Sequence, residues 1–405
     1  MAYTGTFIFK STDAGAPVLE GRIYSTNANG TLVYLLKKCL VDGYNSQASC
    51  SATRSGTTAT IAKTTHGFLA GQVVRISGFS ETNFNGDFKI ATATANDFTI
   101  TVANTGAASE GANGTTIMCP LDWVEHGSNS DSHRAFQQPN DVGITNQCWY
   151  SFYDGTTQHV RFKGFTGTLS ALTSTLPDTD GGTAFPTTAQ FSGGLHISRS
   201  SSNDSTARAW TIVSDRRTIH VMLKASGATT VHAFSIGQIV SYKSTTDSWN
   251  AMIMGNNDIV NNGGYNAWLL NTTTTWPSAT AHGLWFSGAY SSGAGTSTPG
   301  NKPVLTGATN GGTQPGATAS LTYPAPVAGG LMLQRMVLAE SVAVGPDLRG
   351  HSPGMWFPWH QRPLTEDTTF TGATGSSIAG RTFYVAQGMS NGQVFIELRD
   401  GSYWD

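Results

Sequence analysis

Charge is scarce in this chain. Its 405 residues hold 23 Lys and Arg and 25 Asp and Glu, together 12%, against about 25% in an average soluble domain. A formal net charge of −2 leaves no basic footprint for a phosphate backbone, which excludes general nucleic-acid binding. Long apolar runs are missing as well. Nothing approaches the roughly 18 consecutive apolar residues of a membrane-spanning helix, so no membrane partner is expected. Residues 1–10 lack the basic and apolar regions of a secretory leader. Cysteine is limited to Cys39, Cys50, Cys119 and Cys148. None forms a C-x-x-C pair, which argues against a zinc ribbon or a redox motif. Four are too few for a disulfide scaffold of this length, so buried free thiols are expected. A Cys39–Cys148 or Cys50–Cys119 bridge stays open.

What is present suits a folded, neutral protein. Hydrophobic residues make up 39% and aromatics 10%, enough for a substantial core. Glycine fills 47 positions, and Thr, Ser and Asn are abundant, so the surface is mostly uncharged and polar. The length allows about two or three domains.

Helix signals are few. In 31–41, Leu32, Leu35, Leu36, Cys39 and Leu40 form one apolar stripe. Thr31 can cap its start, Asp42-Gly43 can end it, and Lys37 and Lys38 suit its last turns. Nearly everything else reads as short antiparallel strands between turns. Segments 148–153 and 159–165 flank Asp154-Gly155, a hairpin turn pair. Segments 209–213 and 218–224 flank a second turn at 215–217. Segments 231–234 and 239–242 read as a third hairpin, and 251–254 and 267–270 extend the sheet. Segment 330–338 is a further strand. Segments 381–386 and 393–398 surround the turn signal Asn391-Gly392. The fold class is therefore mainly β: an antiparallel, hairpin-rich sandwich with one short N-terminal helix.

Residues 52–116 differ from their surroundings. Alternating segments 56–61, 66–76, 84–90 and 97–102 recur at regular spacing, enough for a small β-barrel or sandwich. They read as a domain inserted into a main domain of 1–51 plus 117–405, with 45–51 and 115–119 as the flanks. Residues 287–322, almost all Gly, Ser, Thr, Ala, Asn and Pro, form a low-complexity loop within the main domain.

Motifs for chemistry are thin. His126 and His133 lie near Asp122, Glu125 and Asp131, but their spacing matches no ligand rule, and a polar loop is the simpler reading. His351 and His360 bracket Trp356 and Trp359 without a third ligand nearby. No metal or cofactor is expected. A glycosidase needs two carboxylates placed about a sugar. Asp42, Asp154 and Asp400 precede glycines and read as turn residues, while Glu340, Asp347, Glu366 and Asp367 are not paired by any pattern. A G-x-S-x-G match at Gly350-His-Ser-Pro-Gly354 fails as a nucleophile elbow, because Pro353 has no N–H for the oxyanion hole. No acid lies between Ser352 and the last histidine, His360. The chain is read as a non-enzyme. Ten tryptophans raise carbohydrate stacking, but Trp is also an interface residue. Trp356, Phe357 and Trp359 stand between Pro353-Gly354 and Pro363, and a proline-bracketed aromatic loop suits a partner contact.

Two resemblances add to this. Ala59-Thr-Ile61, His66-Gly-Phe-Leu-Ala-Gly-Gln-Val-Val74, Ile76-Ser-Gly78, Phe84-Asn-Gly86 and Phe98-Thr-Ile-Thr-Val102 resemble a small β-domain common in tailed-phage virion proteins. It is labelled as like the FCCH domain of ubiquitin-activating enzymes, and implies a fold, not ubiquitin chemistry. The remainder is similar to a family of phage virion proteins encoded among tail genes. The segments that carry this are 11–19, 39–44, 185–190, 207–212, 349–355 and 380–384, while 287–322 departs from the family. The resemblance implies a structural virion component, in the tail tip, baseplate or tail-associated region, assembled in the host cytoplasm. Its partners are other copies of itself and neighbouring virion proteins, in symmetric contacts. A capsid decoration or head-fibre protein is one alternative. A receptor-binding adhesin for host surface glycans is the other.

Overall fold

The computed structural model describes the whole chain except residues 1–2, 23–27, 131, 141–146, 156–158, 168–171, 173–182, 189, 191–192, 201, 225–230, 243–246, 248–249, 256–267, 269–282, 289–297, 302–329, 341–346, 359–363 and 387–392. It is mainly β, with antiparallel sheets and one short α-helix, as the patterning requires.

The helix is Leu32–Lys37, continued by a π-helical turn, Lys38–Asp42. Thr31 accepts the Tyr34 N–H at 3.1 Å, the expected cap. Leu32, Leu35, Leu36, Cys39 and Leu40 are all fully buried, so the stripe faces the core. Asp42 takes Lys37 at 2.6 Å and Lys38 at 3.0 Å, and Gly43 ends the element at φ 75°.

The body sheet runs, in spatial order, Phe7–Lys10, Trp210–Ser214, Thr218–Lys224, Val231–Gln238, Ala251–Met254, Leu284–Phe286, Thr298–Asn301, Leu333–Glu340, Asp347–Pro358, Phe395–Leu398, Thr382–Val385 and Thr369–Thr371. It curls until its ends approach. The Thr6 N–H donates to Arg399 O at 2.8 Å, and Lys10 meets Asp367 at 2.7 Å. One face of the curl encloses Ile8, Met222, Met252, Leu338, Met355, Tyr384, Ile396 and Trp404. The opposite face, bearing Phe7, Ile212, Val221 and Phe234, packs on the helix and on a second sheet. That sheet comprises Val124–Ser130, His133–Gln137, Trp149–Tyr153, His159–Thr166 and Thr183–Phe185, with Leu195–Ser198 beside His159–Thr166. Phe162 and Phe152 meet Phe234 across the layer at 4.9 and 6.0 Å. Being covered on both faces explains why Val231–Gln238 is buried at every position.

Two readings change here. The pair 231–234 and 239–242 is not a hairpin. Val231–Gln238 pairs with Ala251–Met254, and Val240–Ser241 crosses to Asp347–Pro358. Nor is the Pro353-Gly354 region a loop. It is a bulge inside the strand Asp347–Pro358, between the pairs Val337↔His351 and Arg335↔Trp356. Gly354 sits at φ 65° under the Trp404 indole, where a Cβ would collide with the ring. The four cysteines are buried and free. Within 287–322, only Ser287, Gly288 and the strand Thr298–Asn301 fall among the described residues; of the expected strand 267–270, only Trp268 does.

All four expected strands of the 52–116 block form: Thr58–Ala62, Val73–Ser77, Gly86–Lys89 and Asp97–Thr101. They belong to a seven-stranded sheet whose centre is Tyr44–Ser55 paired with Ser109–Met118, so the expected flanks are strands of the sheet itself. Its inner face buries Ala52, Ile61, Phe98 and Ile100. The alternate positions carry Thr53, Thr60, Thr99 and Thr92, directly opposite one another across four strands, with Thr58 opposite Thr101 in the next row.

Candidate partner-binding face

The three aromatics singled out by the sequence separate in the structure. Strand alternation sends Phe357 inward, where it is 6% exposed in the curl's core. Trp356 points the other way and is half-buried. Trp359 lies outside the described residues.

Trp356 is the centre of an outward cluster built by register. Arg335 and Phe395 are its direct neighbours on the flanking strands, and Phe395 in turn opposes Val385. Phe383, Val385 and Phe395 are fully buried there, ringed by half-buried Leu331, Leu333, Leu364, Phe370 and Ile378. The Phe383 and Phe370 rings stack at 5.2 Å, and Trp356 meets Phe383 edge-on at 5.9 Å. Sequence reading missed Arg335, Phe370, Phe383 and Phe395. Their signal was present: 382–385 and 395–398 are apolar at both odd and even positions, the mark of a sheet covered on both sides.

A charged belt borders the cluster. Glu397 accepts the Trp356 Nε1–H at 3.3 Å, and takes Arg381 at 3.3 Å and Arg399 at 3.1 Å. The Arg335 and Arg381 guanidinium groups lie 5.1 and 5.8 Å from the Trp356 ring centre. Arg335 also donates to His351 Nε2 at 2.6 Å and to Asp405 O at 3.0 Å. Burial, reinforced by Arg335, holds the His351 imidazole below its ordinary value. The Arg399 guanidinium holds the Asp405 carboxyl below the carboxylate range.

Most of the described residues weighed for chemistry are held in other contacts; Asp131 lies outside the described residues, as do the side chains of His126 and Asp347. Asp122 pairs with Arg75 and Arg216, and Glu125 with Arg134 and Lys37. His133 Nε2 lies 2.9 Å from Ser151 Oγ inside the second sheet. Among the described residues, no group of three or more His, Cys, Asp or Glu side chains is placed to hold a metal ion. Glu340 pairs with Arg349 at 3.2 Å, and Asp367 with Lys10. Asp154 is not merely a turn residue: fully buried, it meets Arg199 at 2.9 Å and accepts the Leu32 N–H at the helix start at 2.7 Å. The Ser352 hydroxyl is buried and donates to Met355 Sδ at 3.0 Å. A Ser–His pair does occur. His220 Nε2–H donates to Pro353 O at 2.8 Å, which leaves Nδ1 to accept the Ser235 hydroxyl at 2.8 Å. Ser235 Oγ accepts the Trp268 Nε1–H at 2.8 Å. All three side chains are wholly buried, and burial drops the His220 imidazole to about 4. This arrangement ties the strands bearing His220, Ser235 and Pro353 together, with the side chains of His220, Ser235 and Trp268 closed to solvent among the described residues.

No helix among the described residues is long and apolar enough to cross a membrane. No protein-family model matches the chain, and no curated protein matches it. Among solved structures, the phage phi92 endosialidase aligns over 89% of this chain and 70% of its own, at 10% identity and a TM-score of 0.18. Agreement at that level transfers no residue role.

Proposed function

We propose that this chain is a structural component of a tailed-phage virion, in the tail tip, baseplate or tail-associated region, and that it acts by subunit assembly and not by catalysis. The observation that carries the reading is the outward face around Trp356. An antiparallel sheet with one face on a core normally turns a polar face to water. Here Leu333, Trp356 and Phe370 are half-buried around a second apolar cluster, on strands that already fill the curl's core. Trp356 keeps part of its surface accessible at the rim of that cluster, and tryptophan is enriched among interface anchors. A protein partner fits better than a sugar: stacking a pyranose on Trp356 requires moving Arg335 and Arg381 off the ring. The resemblance of the 52–116 block to a virion β-domain also supports this reading.

The test is Trp356→Ala in phage. Incorporation into particles is expected to fall about tenfold, as for an interface anchor. Monomer stability should fall by only about 1–2 kcal/mol, from lost apolar contact and one hydrogen bond. Normal incorporation combined with a loss above about 4 kcal/mol would show that Trp356 is core alone.

A further inference from the structure

The inserted sheet meets the body at three polar contacts, on different elements. First, Asp13, in the turn after the opening strand, is 8% exposed. Its carboxylate accepts the body's Lys10 N–H at 2.7 Å, the Tyr44 hydroxyl at 2.8 Å and the Gln72 Nε2–H at 2.8 Å. Gln72 and Tyr44 belong to the inserted sheet. Beside them Gly67 lies so close to Ala14 that a Cβ would sit 2.5 Å from the alanine methyl. Second, Arg75 of the inserted sheet holds Asp87 at 2.7 Å and reaches Asp122 of the body at 2.6 Å. Asp122 also takes Arg216, at 3.0 Å, from the turn between two body strands. Arg216 is 2% exposed, so Asp122 is a single carboxylate between an inserted and a buried guanidinium. Third, Lys89 pairs with Asp400, which accepts the Tyr3 hydroxyl. The apolar core is continuous through the junction, from Phe9 and Leu36 to Tyr44, Val74 and Met118.

We propose that the inserted sheet is a fixed arm, pinned in one orientation by Asp13 and Asp122, and not a hinged module. The three contacts are unequal. Lys89 and Asp400 are the most exposed pair and contribute little. Asp13 is buried and Asp122 is half-buried, and each joins groups from both sides, so loss of either removes polar contacts that bridge the junction. Attachments on three separate elements, with a continuous apolar core beside them, oppose rotation about any single hinge. This holds whether or not the chain assembles through Trp356.

The test uses the full chain with spin labels on Thr101→Cys in the arm and Thr371→Cys in the body, both exposed. The four native thiols are buried and leave labelling selective. Wild type is expected to give one narrow distance distribution. Asp13→Asn with Asp122→Asn should broaden it; asparagine keeps the φ of 57° that Asp122 adopts. Arm amides in Val73–Ser77 should exchange about tenfold faster in that variant. Lys89→Met should change neither readout. All ten tryptophans lie outside 44–118, so their fluorescence reports whether the body stays folded. A broad wild-type distribution would overturn the proposal, and so would a folded double variant as narrow as wild type. If the double variant fails to fold, the wild-type distribution alone decides.

Discussion

Asp154 offers the sharpest test of how this fold is held. Its carboxylate joins three parts of the chain: the hairpin that carries it, the Arg199 guanidinium after Leu195–Ser198, and the first N–H of the helix. Both partners in the ion pair have fully buried side chains. Burial pushes the Asp154 carboxyl up, while Arg199 and the Leu32 N–H pull it down. Asp154→Ala strands a buried guanidinium, which costs about 3–5 kcal/mol. It also removes a partner from the helix start, worth about 1 kcal/mol. A loss of about 5 kcal/mol is therefore expected in urea unfolding followed by circular dichroism. Arg199→Met alone should cost about 3 kcal/mol, by leaving the carboxylate buried. The double variant removes both charges and should lose clearly less than the sum, with a coupling of about 2–3 kcal/mol. A single-variant loss under about 1 kcal/mol, or strict additivity, would refute this account of the pair.

Acid should destabilise the protein. His220 and His232 are pushed down to about 4 by burial, so the unfolded chain binds their protons first as pH falls below 6.5. Each withdraws about 3 kcal/mol between pH 6.5 and 4. Asp215, raised to about 6 by burial, works in the opposite sense: its proton binds the folded state first, returning about 3 kcal/mol over the window from 6 to 4. These three groups together give a loss on the order of 3 kcal/mol from pH 7 to 4, and His232→Gln should flatten the melting-temperature profile there. A protein more stable at pH 4 than at 7 would contradict it. Gly354→Ala should cost about 2–4 kcal/mol in the same urea assay, since it strains a φ of 65° and collides with Trp404. A neutral result would mean that the bulge can relax.

Local signals in the sequence translated well. Thr31, the Leu32–Leu40 stripe and Gly43 specify the helix through neighbours within one or two turns. Thr58–Ala62 and Asp97–Thr101 of the inserted sheet alternate cleanly because only one of their faces is buried. The strand 231–238 carried no such alternation. Both its faces are covered, so nothing in it marked where pairing stopped, and its true neighbour, Ala251–Met254, starts 13 residues beyond its end. Pro353-Gly354 was ambiguous for another reason. The pair suits a turn equally well as a bulge, and only Trp404, some fifty residues on, decides between them. At the candidate face Trp356 was visible as a residue type. Its setting was not, because Arg335, Glu397 and Phe383 reach it through strand register alone.

The threonine rows on the inserted sheet have a consequence for crowding. Most proteins keep their copies apart by like-charge repulsion, which weakens with salt and vanishes near the isoelectric point. The row of Thr53, Thr60, Thr99 and Thr92 itself has no charge to screen or titrate, and Asp97 in the next row is the carboxylate beside it. It stays wet through hydroxyls that bind water equally at any pH or ionic strength, while their branched Cβ atoms favour the strand that displays them. Across that row, a neighbouring surface would be met by shape and by the hydration layer, with no like-charge repulsion from the threonines themselves.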